Sequence, residues 1–339
     1  MAAPQSRSGY LPDRTVHLHP LARCNLACKH CYSHSNPQAS DLLDMKVLAP
    51  ALARLRAEGY EVLSLSGGEP MLYPELGALT SHARSLGFRV VAISNGFRLN
   101  ARFQHLIDGF DGLAISFDGG RDVHNKVRCN PRAYDMAMKG LEYLTGIGKP
   151  VAAAYTVSKE SVQDIPAFVD DAARLGVRAV QLRPLVMAGR ATDDYTDFAL
   201  NKADRHRLWL IGEALASAYE GEIAVHTDLA HARNIVANRS AFDAVLNGCS
   251  PTLSDLVNPL VITPQGRMLP YTYDFPQEFT LGHISELAQG SIGAITQSAP
   301  KLKDLLHSVF EELEGRDDFI DWFAHTRDHA RELVDAALV

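Results

Sequence analysis

The 339-residue chain has no run of about 18 or more apolar residues, so no segment is able to cross a bilayer as a helix. Its opening stretch, MAAPQSRSGYLPDRTVH, lacks the apolar core of a secretory signal. A cytoplasmic protein without membrane association is expected. There is no excess of basic residues. The 33 Lys and Arg stand against 40 Asp and Glu, and the net charge of −7 argues against nucleic acid as the main partner. Internal repeats and low-complexity tracts are absent. Cysteine is scarce, and five is an odd number that argues against a disulfide framework. What is present is 46% hydrophobic and 22% charged residues, the composition of a chain with a sizeable packed core. The length suits one large domain, or a domain with a smaller appendage.

Over the first 185 or so residues, short β-rich runs alternate with helical stretches. Strands are expected at Val16–Leu18, Val62–Leu65, Val90–Ile93, Leu113–Phe117, Val151–Thr156 and Ala179–Leu182. Several are nearly continuous apolar runs, as in strands buried on both faces. Asp44 is a good N-cap for a helix reaching Glu58, with Leu48, Leu52 and Leu55 at helical spacing and Gly59 closing it. Pro50 is a candidate kink in that helix. Strand–helix alternation with right-handed crossovers predicts a parallel α/β sheet, and six units predict an open barrel rather than the closed eightfold one. After about residue 190 the alternation is expected to stop. Residues 193–197 read as a polar linker, 204–220 as helix, 257–283 as short strands around a Pro264-Gln265-Gly266 turn, and 300–337 as amphipathic helices.

Three cysteines fall within eight residues, Cys24-Asn-Leu-Ala-Cys28-Lys-His-Cys31, directly after the first expected strand. Thiolates ligate iron–sulfur clusters, and close spacing lets one loop wrap a cluster face. Three thiolates leave one iron of a four-iron cubane open, as the reactive position of a catalytic metal is. A zinc knuckle is the alternative, with His30 or His34 completing four ligands. Ser66-Gly67-Gly68-Glu69-Pro70 follows the second strand, Ser94-Asn95-Gly96 the third, and Ser116-Phe117-Asp118-Gly119 the fourth. Strand C-terminal ends are where parallel α/β folds place ligands. Each segment also reads as ordinary turn chemistry. His17 and His19 share one face of a strand and, without a neighbouring carboxylate or thiol, read as structural.

Together these segments resemble the radical S-adenosylmethionine (SAM) superfamily, whose signature is a CxxxCxxC loop in this place. The resemblance spans residues 14–187 and weakens beyond. It implies a partial (β/α)6 core barrel over 14–190 and a smaller α+β C-terminal extension over 200–339. It implies one 4Fe–4S cluster on Cys24, Cys28 and Cys31, with SAM on the open iron and electrons from an external flavodoxin- or ferredoxin-type donor. In the family, reductive cleavage of SAM yields a 5′-deoxyadenosyl radical that removes hydrogen from substrate. The resemblance assigns Gly67, Gly68 and Glu69 to the SAM amino group. It assigns Ser94, Asn95, Ser116 and Asp118 to its ribose and carboxylate, Arg128 to the carboxylate and Leu185 to the adenine. His30, inside the cysteine loop, is counted with these cofactor contacts.

Cys249, the stretch from Asn258 to Pro270-Tyr271, and Leu281-Gly282-His283-Ile284 are similar to the C-terminal extension called SPASM or, when shortened, twitch. Where that pattern has Pro-Cys this chain has Pro270-Tyr271, and no cysteine follows Cys249. Four ligands are needed for an auxiliary cluster and only Cys129 and Cys249 remain, so a single cluster is expected. Cys249 reads either as a small buried hydrophobe or as a hydrogen-atom donor, with Cys129 its competitor. The whole is similar to radical SAM epimerases of carbohydrate antibiotic biosynthesis. That implies an isomerase inverting one carbon of an aminoglycoside such as neomycin C, with Cys249 returning hydrogen to the opposite face. A cationic carbohydrate calls for acidic partners, for which Glu69, Asp118, Asp228 and Asp274 are candidates. The alternatives are a radical dehydrogenase or dehydratase on a sugar or nucleoside, and a peptide-modifying enzyme.

Overall fold

A computed structural model describes residues 13–248, 252–291 and 293–337. Its strands are β1 (Thr15–Leu18), β2 (Val62–Leu65), β3 (Arg89–Ser94), β4 (Gly112–Phe117), β5 (Val151–Val157), β6 (Ala179–Pro184), β7 (Ala224–Thr227), β8 (Ala230–His231), β9 (Leu260–Ile262), β10 (Met268–Pro270) and β11 (Phe319–Ile320). The helices of ten or more described residues are α1 (Met45–Ala57), α2 (Leu76–Ser85), α3 (Ala133–Gly146), α4 (Ile165–Arg174), α5 (Lys202–Ala218), α6 (Gly293–Leu313) and α7 (Trp322–Ala337). All six expected strands form. Asp44 caps α1, accepting from the Lys46 amide at 2.7 Å, and the helix runs through Pro50.

Nine strands make one sheet in the order β10-β9-β1-β2-β3-β4-β5-β6-β7. Every pair from β1 through β7 is parallel, β9 is parallel to β1, and only β10 runs antiparallel. Side chains alternate between the two faces of a strand. Val16, Leu18, Leu63, Leu65, Val90, Ile115, Tyr155, Val180 and Leu182 are buried on the outer face. They belong to one core with Leu48, Leu52 and Leu55 of α1, Leu141 and Leu144 of α3, and Leu208 of α5. Each such leucine contributes about 1.5–3 kcal/mol by leaving water. The inner face is more accessible and smaller or more polar: His17, Ser64, Ile93, Ala114, Ser116, Thr156, Gln181 and Arg183.

The alternation does not end near residue 190 as expected. α5 leads into β7, a seventh parallel strand too short and too exposed to announce itself by apolar content. The segment expected as a separate extension also supplies β9 and β10 to the edge beside β1. α7 then meets both sides of the remaining gap. Arg327 donates to the Met187 carbonyl just after β6 at 3.3 Å, while Phe323 stacks on Tyr271, which follows β10.

Candidate active site at the strand C-terminal rim

The cysteine loop leaves β1 and is fastened from three directions. The Cys24 amide donates to Asn36 O at 3.0 Å, and the Lys29 amide to Val127 O at 2.8 Å. From the loop after β6, Arg190 donates through its backbone N to Cys31 O at 3.1 Å, through Nε to Cys28 O at 2.8 Å and through Nη2 to Ser35 O at 2.8 Å. Gly189, at φ +55°, approaches so closely that a Cβ there would sit 2.5 Å from Cys31 O and Tyr32 O. On the other side a Cβ on Gly68 would fall 2.1 Å from Arg23 O, and one on Gly67, at φ +97°, 2.9 Å from Leu21 O. The two glycines are therefore required by close backbone approach.

That approach delivers Glu69 to the loop. Its buried carboxylate accepts from Ser94 Oγ at 2.9 Å and the Met71 amide at 3.2 Å on one oxygen, and from the Asn95 amide at 3.0 Å on the other. An ionised carboxylate offers about four acceptor directions, so one remains for an ammonium group. Burial pushes Glu69 up to about 7, against these donors. Asn95 donates through Nδ2 to Asn25 Oδ1 at 3.0 Å, next to Cys24. Asp118 follows β4 and is paired with Arg128 Nε at 2.6 Å and His30 Nε2 at 2.8 Å, while the His124 imidazole, lowered by burial to about 3, lies with Nδ1 3.4 Å away. Burial pushes Asp118 up, but Arg128 first and His30 next hold it well below the usual carboxylate range.

Glu69, Ser94, Asn95, Asp118, Arg128 and His30 are thus brought together around the loop. Ser116 faces inward on β4. Leu185 is buried with Val127, Ala191 and Tyr195 in a small cluster at the same rim. Cys129 is exposed, at φ +53°, with its thiol near only the Lys126 and Val127 carbonyls. Cys249 lies outside the described residues. The four acidic residues do not share a pocket. Glu69 and Asp118 serve the loop, Asp228 is engaged by Gln181 and Arg183, and Asp274 pairs with Arg331.

Burial pushes both Cys24 and Cys28 thiols up to about 12, so a metal must displace their protons. Among the described residues no three Cys, His, Asp or Glu side chains converge as the ligands of one ion do. Three thiols on one loop suit a multi-iron cluster, in which each sulfur would meet its own iron.

Residues 18–172 match the radical SAM superfamily. That stretch is a radical SAM domain. Its cofactors are a 4Fe–4S cluster and SAM, and an external reductant serves such enzymes. Fe-coproporphyrin III synthase of Methanosarcina barkeri is 30% identical over 205 residues, covering 58% of this chain and 50% of that protein. Pre-heme d1 synthase of Dinoroseobacter shibae is 33% identical over 232 residues, covering 66% and 54%. The chain thus spans about half the length of the curated relatives it matches. Among solved structures, native anSMEcpe with bound AdoMet and the Cp18Cys peptide superposes with a TM-score of 0.67, covering 92% of this chain and 87% of that one at 15% identity. These relatives bear out the radical SAM expectation and lend no support to an epimerase. No helix among the described residues is long and apolar enough to cross a membrane.

Inside the radical SAM barrel lie groups that sequence reasoning missed. β1 and β6 are five strand spacings apart, about 24 Å on a flat sheet. Yet the Arg183 charge acts on His17, which burial first and Arg183 second lower to about 4. Arg190, in the loop after β6, is bonded to carbonyls of the loop after β1, so the sheet is rolled and Arg183 on β6 faces its interior. His19, lowered by burial to about 3, stacks on Tyr273 with ring centroids 4.9 Å apart, and Tyr32 of the cysteine loop leans on both. His17 and His19 are thus neutral lumen groups rather than a metal pair. Nothing in the spacing of Gly189-Arg190 or Arg183 marks them, because their roles depend on how the sheet rolls.

Proposed function

We propose that this chain removes a hydrogen atom from a carbon of an organic substrate held in the barrel lumen and completes the reaction by oxidation or elimination, with a flavodoxin- or ferredoxin-type one-electron carrier as partner. When bound, the cluster and SAM supply the carbon radical that takes the hydrogen atom. Cys24, Cys28 and Cys31 would hold the cluster. Gly67, Gly68, Glu69, Ser94, Asn95, Ser116 and Leu185 would seat SAM. His30, Asp118 and Arg128 would keep the cysteine loop rigid and fix the charge beside it. Residues 200–339 would form a cluster-free extension, since only two cysteines lie beyond the loop, fewer than the four an auxiliary cluster needs. α7 would exclude water from the lumen.

The observation that carries this reading is the chemistry of the lumen wall. Its described groups are hydroxyl, imidazole, amide, carboxylate and guanidinium: Tyr32, His17, Gln181, Asp228 and Arg183. None is a thiol able to return a hydrogen atom. Downstream of Cys249, the Leu253 amide donates to Glu58 Oε2 at 3.0 Å and the Ser254 amide to Glu58 O at 3.2 Å. Glu58 precedes β2, so this flank is fastened to the rim opposite the cysteine loop.

Epimerisation of a carbohydrate such as an aminoglycoside is the second reading. It is favoured by the exposure of Cys129, which leaves Cys249 as the cysteine for hydrogen return. One experiment separates the two. Reduced, anaerobic enzyme is given SAM and a panel of sugars, peptides and porphyrins in deuterated water. Stoichiometric 5′-deoxyadenosine with a product two mass units lighter, or one that has lost a small fragment, and no solvent deuterium, supports oxidation or elimination. A product of unchanged connectivity carrying one deuterium, lost in Cys249→Ala, establishes epimerisation instead.

A further inference from the structure

We infer that Arg183 takes a carboxylate of the substrate inside the barrel, with Asp228 and Gln181 as the residues that position it. This deepens the proposed function and relies on it for where the substrate sits. Gln181 and Arg183 occupy alternate positions on β6 and face the lumen, while their neighbours Val180 and Leu182 are buried in the outer core. Asp228 directly follows β7, its amide tied to Leu182 O at 2.9 Å. Gln181 Nε2 donates to its two carboxylate oxygens at 2.9 and 3.0 Å, and Arg183 Nε lies 3.1 Å from Oδ2. Asp228 is the only ion-pair partner of Arg183 among the described residues, and its nearest approach is to Nε.

The remaining N–H groups of the guanidinium are therefore left for something else. The Arg183 side chain is 48% exposed. Tyr32 of the cysteine loop is partly exposed too, its ring meeting His19 and Tyr273. The Arg183 charge acts on Tyr32 and His17 on one side and on Asp321, at the head of α7, on the other. Arg183 faces inward on β6, whose following loop is bonded to the cysteine loop through Arg190 and to α7 through Arg327, so it borders the space between these elements. A second cation borders the same space. Arg327 is 1% exposed, acts on Asp321, and has an Nη1 with no hydrogen-bond partner. A planar fork with free N–H groups matches the two oxygens of a carboxylate. Paired with Asp228, it is partly oriented before binding. The same fork opposes a polycation, so the cationic-carbohydrate expectation does not fit this wall.

The test uses reconstituted enzyme with SAM and no reductant, so that binding is read without turnover. Saturation-transfer NMR compares matched acids and neutral counterparts: an N-acetyl dipeptide and its amide, glucuronate and glucuronamide, and coproporphyrin III and its tetramethyl ester. The pair that responds identifies the molecule that carries the carboxylate. At least one acid should bind about tenfold or more tightly than its counterpart. That preference should vanish in Arg183→Gln, be partly retained in Arg183→Lys, and weaken in Asp228→Asn, whose volume is unchanged. Circular dichroism and iron content verify that each variant is folded and loaded. Equal binding of acids and neutral partners, a preference that survives Arg183→Gln, or no acid bound at millimolar concentration would overturn the assignment. Because no hydrogen transfer occurs, failure here leaves the deuterium experiment above to judge the reaction on its own.

Discussion

The two halves of the strand C-terminal rim are built on opposite logic. On the β1–β4 side most polar groups that face the cysteine loop are spent on their neighbours, although His19 Nδ1 and both His124 ring nitrogens have no hydrogen-bond partner. Glu69 takes three donors, Asp118 is paired with Arg128 and His30, and Arg190 closes the cysteine loop from behind. On the β6–β7 side the guanidinium of Arg183 is half committed, and the Arg327 Nη1 has no partner. A rim that must hold one fixed cofactor geometry is rigid because its groups satisfy each other. A rim that must accept a substrate keeps donors open, at the cost of leaving them unpaired in its absence.

The sharpest way to break this comparison is to remove a cluster ligand. Cys28→Ser should abolish the brown charge-transfer absorption, bound iron and SAM cleavage together, whereas Cys129→Ser should retain all of them. Iron retained by the Cys28 variant after anaerobic reconstitution and desalting would remove the loop from its assigned role. Next in size is Gly68→Ala. Its Cβ would meet the Arg23 carbonyl oxygen at 2.1 Å and carbon at 2.6 Å, both backbone atoms with little room to retreat. A destabilisation of about 3 kcal/mol, at the upper end for overpacking, is expected along with poor iron retention. An unchanged urea midpoint and full iron content would show that the loop yields and that the rim is less rigid than described.

The rigid half was legible in the sequence and the open half was not, for a physical reason. Cys24, Cys28, Cys31 and the Gly67-Gly68-Glu69 turn act through local spacing and backbone freedom, which a linear string displays. The six strands were equally visible, because buried parallel strands are apolar runs. Arg183 and Asp228 lie 45 positions apart in ordinary surroundings, and they meet only because β6 pairs with β7. β7 itself escaped notice since half its residues are exposed. Arg190 escaped because its partners are carbonyl oxygens, which no sequence pattern specifies. The acidic pocket suggested by Glu69, Asp118, Asp228 and Asp274 failed for the same reason: charge can be counted in a sequence but not located.

Arg190 sharpens the comparison from the rigid side. Arg190→Gln keeps the backbone bond to Cys31 O and forfeits the side-chain bonds to Cys28 O and Ser35 O. Losing these should cost about 1–2 kcal/mol. The change should appear locally, as faster amide exchange over residues 24–36 with little change in α3 or α4. Uniform acceleration across the barrel would mean that Arg190 stabilises the fold generally rather than the loop.

The smallest effect concerns Asp321, on the open side. It caps α7 by accepting from the Phe323 and Ala324 amides, each at 3.1 Å. Burial, with Asp228 adding, pushes its carboxyl up to about 6, while the Ala324 amide, Arg183 and Arg327 act against the rise. A carboxyl raised on folding holds its proton more tightly in the native state than in the unfolded chain. Its stabilising contribution is therefore full below about pH 4, falls as pH rises to about 6, and is flat above. Asp321→Asn keeps a good cap and removes the titration. Relative to wild type, the variant should gain on the order of 1 kcal/mol between about pH 4 and pH 7, less than the whole shift would give because the group retains some access to water. Urea unfolding of the metal-free proteins across that range measures the difference. A constant difference would show that Asp321 is ionised throughout, and that the open rim holds its charges as firmly as the cluster side does.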